Sequence, residues 1–186
     1  GCFEDIDTKG WTALMWAAYR GLPESIEILR GHPGNNINAA ADDGKTALMV
    51  AAGQGHGPVI ETLLKDPNID VNAVNKDNRT ALIIAAQEGA PDAVSKLLLH
   101  PDITVHTSDS IGRDALDAAV NAIAYEDGVG ALKYLIQHRD IDVNSRCMEG
   151  GWTLLEYAIV NDCEEIVEML KVFFPSPPVP HVSMQF

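Results

Sequence analysis

Apolar and small residues recur along this chain in short blocks that carry a helical period. The clearest block is Ala13-Leu14-Met15-Trp16-Ala17-Ala18, opened by Thr12 and preceded by the turn signal Asp7-Thr8-Lys9-Gly10-Trp11. It returns at Asp42–Ala52 and Lys76–Ala86, and in worn form at Asp109–Ala119 and Glu149–Ala158. Aligned on the residue that opens each block (Thr12, Thr46, Thr80, Asp114, Thr153), the copies lie 34, 34, 34 and 39 residues apart. A fixed period in this range predicts stacked supersecondary units.

Within each unit the order is constant. Thr-Ala-Leu opens a first helix, and an Ala-Ala pair one turn later lets two helices approach closely. A break follows at Gly21-Leu22-Pro23, Gly55-His56-Gly57-Pro58 and Gly89-Ala90-Pro91. A second helix then places apolar residues at i, i+3 and i+4: Ile26 and Leu29; Val59, Ile60, Leu63 and Leu64; Val94, Leu97 and Leu98. Proline sits near its first turn, where a missing N–H costs little. The units close on segments such as Asp66–Asn72 and His100–His106, whose alternating Ile and Val read as short half-buried strands.

These residues resemble the ankyrin repeat, and the resemblance runs from about Asp7 to Phe174. It is carried by the Asp-x-x-Gly-x-Thr-Ala-Leu opening, the Ala-Ala pair, the Gly break, the Leu-Leu of the second helix and the closing Val-Asn-Ala. It implies an all-α solenoid of stacked helix-turn-helix units with projecting hairpin loops and a concave face. The five repeats fall at about 7–40, 41–74, 75–108, 109–145 and 146–174, with a Pro-rich tail at 175–186. The sequence departs from the family pattern where Pro usually follows the opening Thr, and where Met15, Met49, Ile83, Asp117 and Glu156 replace a His that bonds neighbouring loops. Loop ties must therefore come from other residues. Asn78 stands in for a turn Gly, which Asn tolerates because it visits the left-handed region.

The fourth copy is the outlier. Its first helix reads on through Ala118–Tyr125, and the Gly break waits until Asp127-Gly128-Val129-Gly130. The five extra residues of spacing are expected partly here, as a longer helix or a protruding loop around Ile123–Gly130, and partly at Arg146–Gly151. Insertions in repeats map to loops. The tail Pro175-Ser176-Pro177-Pro178-Val179-Pro180 reads as polyproline II, and its apolar end is expected to cover the last helix.

Hydrophobic residues make up 46% of the 186 residues and charged residues 22%, which is a globular composition. The net charge of -14 argues against nucleic acid and anionic membranes as partners. Cys2, Cys147 and Cys163 are scattered and show no metal-binding spacing, so neither a disulfide framework nor a zinc site is expected and a cytoplasmic location is. No apolar run is long enough to span a bilayer, and Gly1–Asp5 carries no signal-peptide pattern. The chain opens without Met, which reads as a trimmed terminus or an excerpt of a longer protein.

Three constellations are candidates for function. The residue before each helix opener forms a row, Trp11, Lys45, Arg79, Arg113 and Trp152: either a stripe for an acidic or aromatic partner segment, or solvated hairpin residues paired with Asp42, Asp43, Asp77 and Asp109. Trp16, Tyr19 and Arg20 share a helix face beside Trp11. Tyr19 and Arg20 read as recognition residues and Trp16 as cover for the end of the stack, with Gln54, Gln87, Glu88 and Asn121 continuing the wall. Asp117 and Glu156, with Tyr157, are the acid/base candidates, but Thr153-x-x-Glu156 and Asp114-x-x-Asp117 also match capping boxes. The six histidines, at loop positions of repeat spacing, are expected to be solvated, and Asn78-Arg79-Thr80 is a glycosylation sequon that a cytoplasmic chain would not use. The resemblance implies a protein-interaction module, and a monomer with no cofactor and no metal is expected; the alternative is a small-molecule or enzymatic site in repeats four and five.

Overall fold

A computed structural model describes residues 10–123, 128–145 and 151–173. Ten helices follow in order among them: α1 Ala13–Tyr19, α2 Pro23–Arg30, α3 Ala47–Gly53, α4 Gly57–Leu63, α5 Ala81–Gln87, α6 Pro91–Leu97, α7 Ala115–Ala122, α8 Gly128–Leu135, α9 Leu154–Val160 and α10 Glu164–Phe173. They pair as five antiparallel units. α1, α3, α5 and α7 stack into one layer, and α2, α4, α6 and α8 into a second.

Each first helix starts where its opener can cap it. The side chains of Thr12, Thr46, Thr80, Asp114 and Thr153 accept a hydrogen bond from the backbone N–H three residues on. That bond satisfies one of the donors that a helix N-terminus leaves without an intrahelical partner. The Ala pairs are sealed between neighbouring helices: Ala18, Ala51, Ala52, Ala85, Ala86 and Ala119 are each 0% exposed. Leu14, Leu48, Leu82 and Leu116 occupy the same place in successive units and are equally buried, so one continuous core runs along the array. Second helices carry Pro23, Pro58 and Pro91 in their first turn.

The expected strands at Asp66–Asn72 and His100–His106 are not formed; these segments are turns. Alternate burial is real, since Val71 and Val105 are buried. The neighbouring loop, however, is held by side chains and not by a backbone ladder. Asn38 donates through Nδ2 to the Asn68 carbonyl at 2.7 Å and accepts from the Asp70 N–H at 2.9 Å. Asn72 does the same one unit later, to the Asp102 carbonyl at 2.7 Å and from the Thr104 N–H at 2.9 Å. These are the loop ties required by the missing His. On the other side of the layers the Lys76 N–H reaches the Asp43 carbonyl at 3.1 Å, and the Ser110 N–H reaches that of Asp77 at 2.8 Å. His56 also differs from expectation. It is half-buried, with Nε2 3.2 Å from the Tyr19 carbonyl oxygen, and so joins the first unit to the second.

The hairpin turns share one left-handed residue: Gly10, Gly44, Asn78 and Gly112 all have positive φ, with Asn78 at 58°. Asn78 gains a compensating bond, Nδ2 to the Ser108 carbonyl at 2.6 Å. At Gly44 a Cβ would lie 2.9 Å from the Lys76 nitrogen, so that turn needs glycine for space as well as for φ.

In the fourth unit, α7 is one residue longer than α1, α3 and α5 and ends at Ala122 with Ile123 as its C-cap. The buried trio Ala93, Val94 and Leu97 maps to Ala131, Leu132 and Leu135, a shift of 38 where the other units shift by 34. Four extra residues therefore lie between α7 and α8, and the fifth precedes α9. The rest of that expected loop, including Tyr125, lies outside the described residues, as do 146–150 and the tail cap at 175–186. The last unit leaves Ile159, Val160 and Val172 exposed. Among the described residues no helix is long and apolar enough to cross a membrane.

Replacing Asn72 by Ala removes its three inter-loop bonds, the third donated by the Thr104 hydroxyl at 2.9 Å, and leaves the Thr104 N–H without that acceptor. The expected loss is about 1–2 kcal/mol of unfolding free energy in urea titrations. An unchanged midpoint would show that these side-chain ties hold nothing.

Candidate functional site

The first three units leave a groove between their hairpin turns and the C-terminal ends of their first helices. Its volume is about 460 Å³, and it is lined by Trp11, Tyr19, Lys45, Met49, Val50, Gly53, Gln54, Asn75, Asp77, Arg79, Ile84 and Glu88. The repeat explains its shape. Tyr19, Gly53, Gln87 and Asn121 fall at the same place in successive units, as do Arg20, Gln54 and Glu88 one residue later. Gly53 is the one member of its row without a side chain, so it opens a gap flanked by Tyr19 on one side and Gln87 on the other.

At the first unit the groove is walled by aromatic rings. The Trp11 and Trp16 centroids are 4.9 Å apart, Trp11 and Tyr19 5.8 Å, and Trp16 and Tyr19 6.3 Å, with the two Tyr19 contacts edge-on. Such packing fixes the rings before any partner arrives. Trp16 is half-buried within this cluster while Tyr19 and Trp11 face the groove. Val50 and Ile84 form the apolar floor; they occupy the same repeat place as Trp16.

The cations of the row are not poised for an anion. Lys45 Nζ lies 2.7 Å from Asp43, and Arg79 Nη2 lies 3.5 Å from Asp77 while Nη1 donates to Gln87 at 3.3 Å. Arg113 is bound most fully, through Nε at 3.1 Å and Nη2 at 2.9 Å to the buried carboxylate of Asp109. Each hairpin thus neutralises its own cation. Lys45 and Arg79 still line the groove, each beside a carboxylate of its own hairpin.

Burial alone would push the Asp109 carboxyl up. The Arg113 N–H and guanidinium and the Ile111 N–H outweigh it and hold the group below its ordinary value of 3.8. For Asp43 burial likewise raises, and the ammonium and N–H of Lys45 more than offset it.

Of the predicted partner-binding residues, the groove brings together Trp11, Tyr19, Lys45, Gln54, Arg79 and Glu88. Gln87 reaches it through Arg79. Arg20, Arg113 and Trp152 lie outside its lining. Met49, Val50, Gly53, Asn75, Asp77 and Ile84 are the lining residues that sequence reading missed. The signal was available: the column Trp16, Val50, Ile84 contains no small residue, and Gly53 interrupts a column of large ones. The acid/base candidates are not assembled into such a site. Asp117 completes a capping box with Asp114, at 3.3 Å from the Asp114 N–H, and Glu156 one with Thr153, at 2.9 Å from the Thr153 N–H. Tyr157 packs against the core. Among the described residues no three His, Cys, Asp or Glu side chains are placed to hold a metal ion.

A family model for ankyrin repeats, in three copies, matches residues 2–75. Residues 2–75 thus match the ankyrin-repeat family, and the described helices stack as an ankyrin-type solenoid. The solved structures agree: 429 chains match, and the crystal structure of EF0377, an ankyrin repeat protein, is 26% identical with a TM-score of 0.73. That match covers 89% of this chain and 82% of the other. No curated protein matches. The family model ends at residue 75 and so covers the first two units, short of the groove residues Asp77, Arg79, Ile84 and Glu88.

Because the folded-state pKa of Asp109 is depressed, its contribution to stability is complete above about 3.8 and is lost as pH falls below that value. Asp109→Asn keeps an acceptor for the two backbone N–H groups but leaves the guanidinium without its charge partner. Urea midpoints measured from about pH 6 down to about pH 2.5 are expected to start lower and fall less steeply than in the parent chain. Parallel acid limbs would contradict this. By the same contact, Arg113→Glu sets two carboxylates together and lowers the melting temperature.

Proposed function

We propose that this chain is a protein-interaction module whose binding face is the groove spanning its first three units. Ankyrin repeats are in general protein-interaction modules, and the observation that carries the specific reading is the groove itself. Fixed aromatic rings stand at one end, an apolar floor of Val50 and Ile84 lies beneath, and Gln54 and Glu88 stand on an otherwise open wall. Aromatic anchors beside an apolar floor and a polar rim are the usual composition of a protein-binding hot spot. The first-helix layer is rigidly stacked, so little ordering cost falls on this side of the complex.

Among the described residues, Asp117 and Glu156, on which the competing reading rests, cap helices, and a capping carboxylate is already committed to a backbone N–H.

The test is to fill the gap. Gly53 has ordinary helical geometry, and a Cβ there meets only the Ile84 Cγ2 at 3.3 Å, so Gly53→Leu plugs the groove without changing charge. Its stability is expected to stay within about 1 kcal/mol of the parent, since helix propensity rises as the floor shifts slightly. Affinity capture from native extract, read by quantitative mass spectrometry, should lose most of the specifically held proteins with Gly53→Leu and keep them with Arg139→Ala, which alters a cation 86% exposed on a distant loop. Equal capture by both variants would reject the groove as the binding face.

A further inference from the structure

The groove's charges can be followed one by one. Lys45 is paired with Asp43 at 2.7 Å and Arg79 with Asp77 at 3.5 Å, so the hairpin wall contributes little net charge. Glu88 is exposed at the C-cap of α5; its backbone N–H bonds back to the Ile84 carbonyl, while its carboxylate makes no hydrogen bond or ion pair among the described residues. Gln54, the same place one unit earlier, is the C-cap of α3. Both stand at helix C-termini, the end of the helix dipole that favours a cation. Around this local carboxylate the chain as a whole carries -14. A field of that sign raises the local concentration and association rate of cationic partners and repels anionic ones.

The gap has the matching chemistry. It is bounded by the Tyr19 ring, whose neighbours Trp11 and Trp16 hold it at fixed angles, and by the row that ends in Glu88. An aromatic ring and a carboxylate that line one groove suit a long aliphatic stem with a charged head. The stem covers the apolar floor, the ring attracts the cation, and the carboxylate pairs with it.

We propose that the groove takes a basic peptide segment, and that one of its Lys or Arg side chains enters the gap over Gly53 between Tyr19 and Glu88. This rests on the groove being the binding face, and deepens that reading by fixing the sign of the partner. It replaces the acidic partner that the row of cations suggested, because the carboxylates of the same hairpins answer those cations.

The experiment is selection of a randomised peptide library on the intact chain, followed by dissociation constants for the enriched peptides. Peptides enriched on the parent chain are expected to carry net positive charge. Their affinity should fall by about tenfold with Glu88→Lys, rise with Gln54→Glu, weaken as salt is raised, and be lost with Gly53→Leu. Glu88 and Gln54 are exposed, so neither substitution threatens the fold. Enriched peptides that are acidic or neutral yet still blocked by Gly53→Leu would overturn the basic partner and leave the groove standing. Basic peptides sensitive to Gly53→Leu but indifferent to Glu88→Lys would overturn the assigned seat. Peptides indifferent to Gly53→Leu, or no enrichment at all, would overturn the groove and this inference with it.

Discussion

A helix of seven residues does not hold its shape in water alone. Nucleation is costly, and too few hydrogen bonds follow to repay it. Most helices here are that short, so each exists because a neighbour covers its apolar face. The Ala pairs make this possible by letting first helices lie close, and the fully buried leucines beside them supply the hydrophobic contribution. Stability in such an array is the sum of unit and nearest-neighbour contributions. The groove is a by-product of the same stacking: identical places in successive units line up, and a single glycine in one such column becomes a gap.

The connections follow a second rule. A loop crossing from one unit to the next carries backbone groups that no helix satisfies. Here side-chain amides and carboxylates satisfy them. Asn38 and Asn72 tie loops on one side, while Asn75 and Asp109 hold hairpin turns on the other, each accepting two backbone N–H bonds. The same turns hold their cations close to a carboxylate of the hairpin. The Asp109 carboxylate that organises its turn also holds the guanidinium, and Asp43 likewise receives both the N–H and the ammonium of Lys45.

Much of the fold was legible in the sequence because spacing is a covalent property. Thr12, Thr46, Thr80, Asp114 and Thr153 mark caps whatever the tertiary detail. The five extra residues of the fourth unit could be counted before their place was known. The strand reading at Asp66–Asn72 failed because alternating burial was real while the partner groups were side chains, and periodicity cannot tell these apart. The binding face was half legible. Residues at the edge of the groove were found by their chemistry, but the row of cations looked available because their partners are also charged and lie two to four residues away. Whether a lysine pairs with its own turn or with a visitor depends on turn geometry and not on composition. Val50, Ile84 and Gly53 were passed over because apolar and small residues read as scaffold until the columns are compared across units.

The central claim is that a partner sits across the first three units at the C-terminal ends of their first helices. Hydrogen exchange on the chain, with and without a saturating selected peptide, tests it most directly. Slowed exchange is predicted at the amides of Gly53, Gln54 and Glu88, with the second-helix layer and the fifth unit unchanged. Protection confined to Leu154–Phe173, or to the outer faces of α2, α4 and α6, would contradict it.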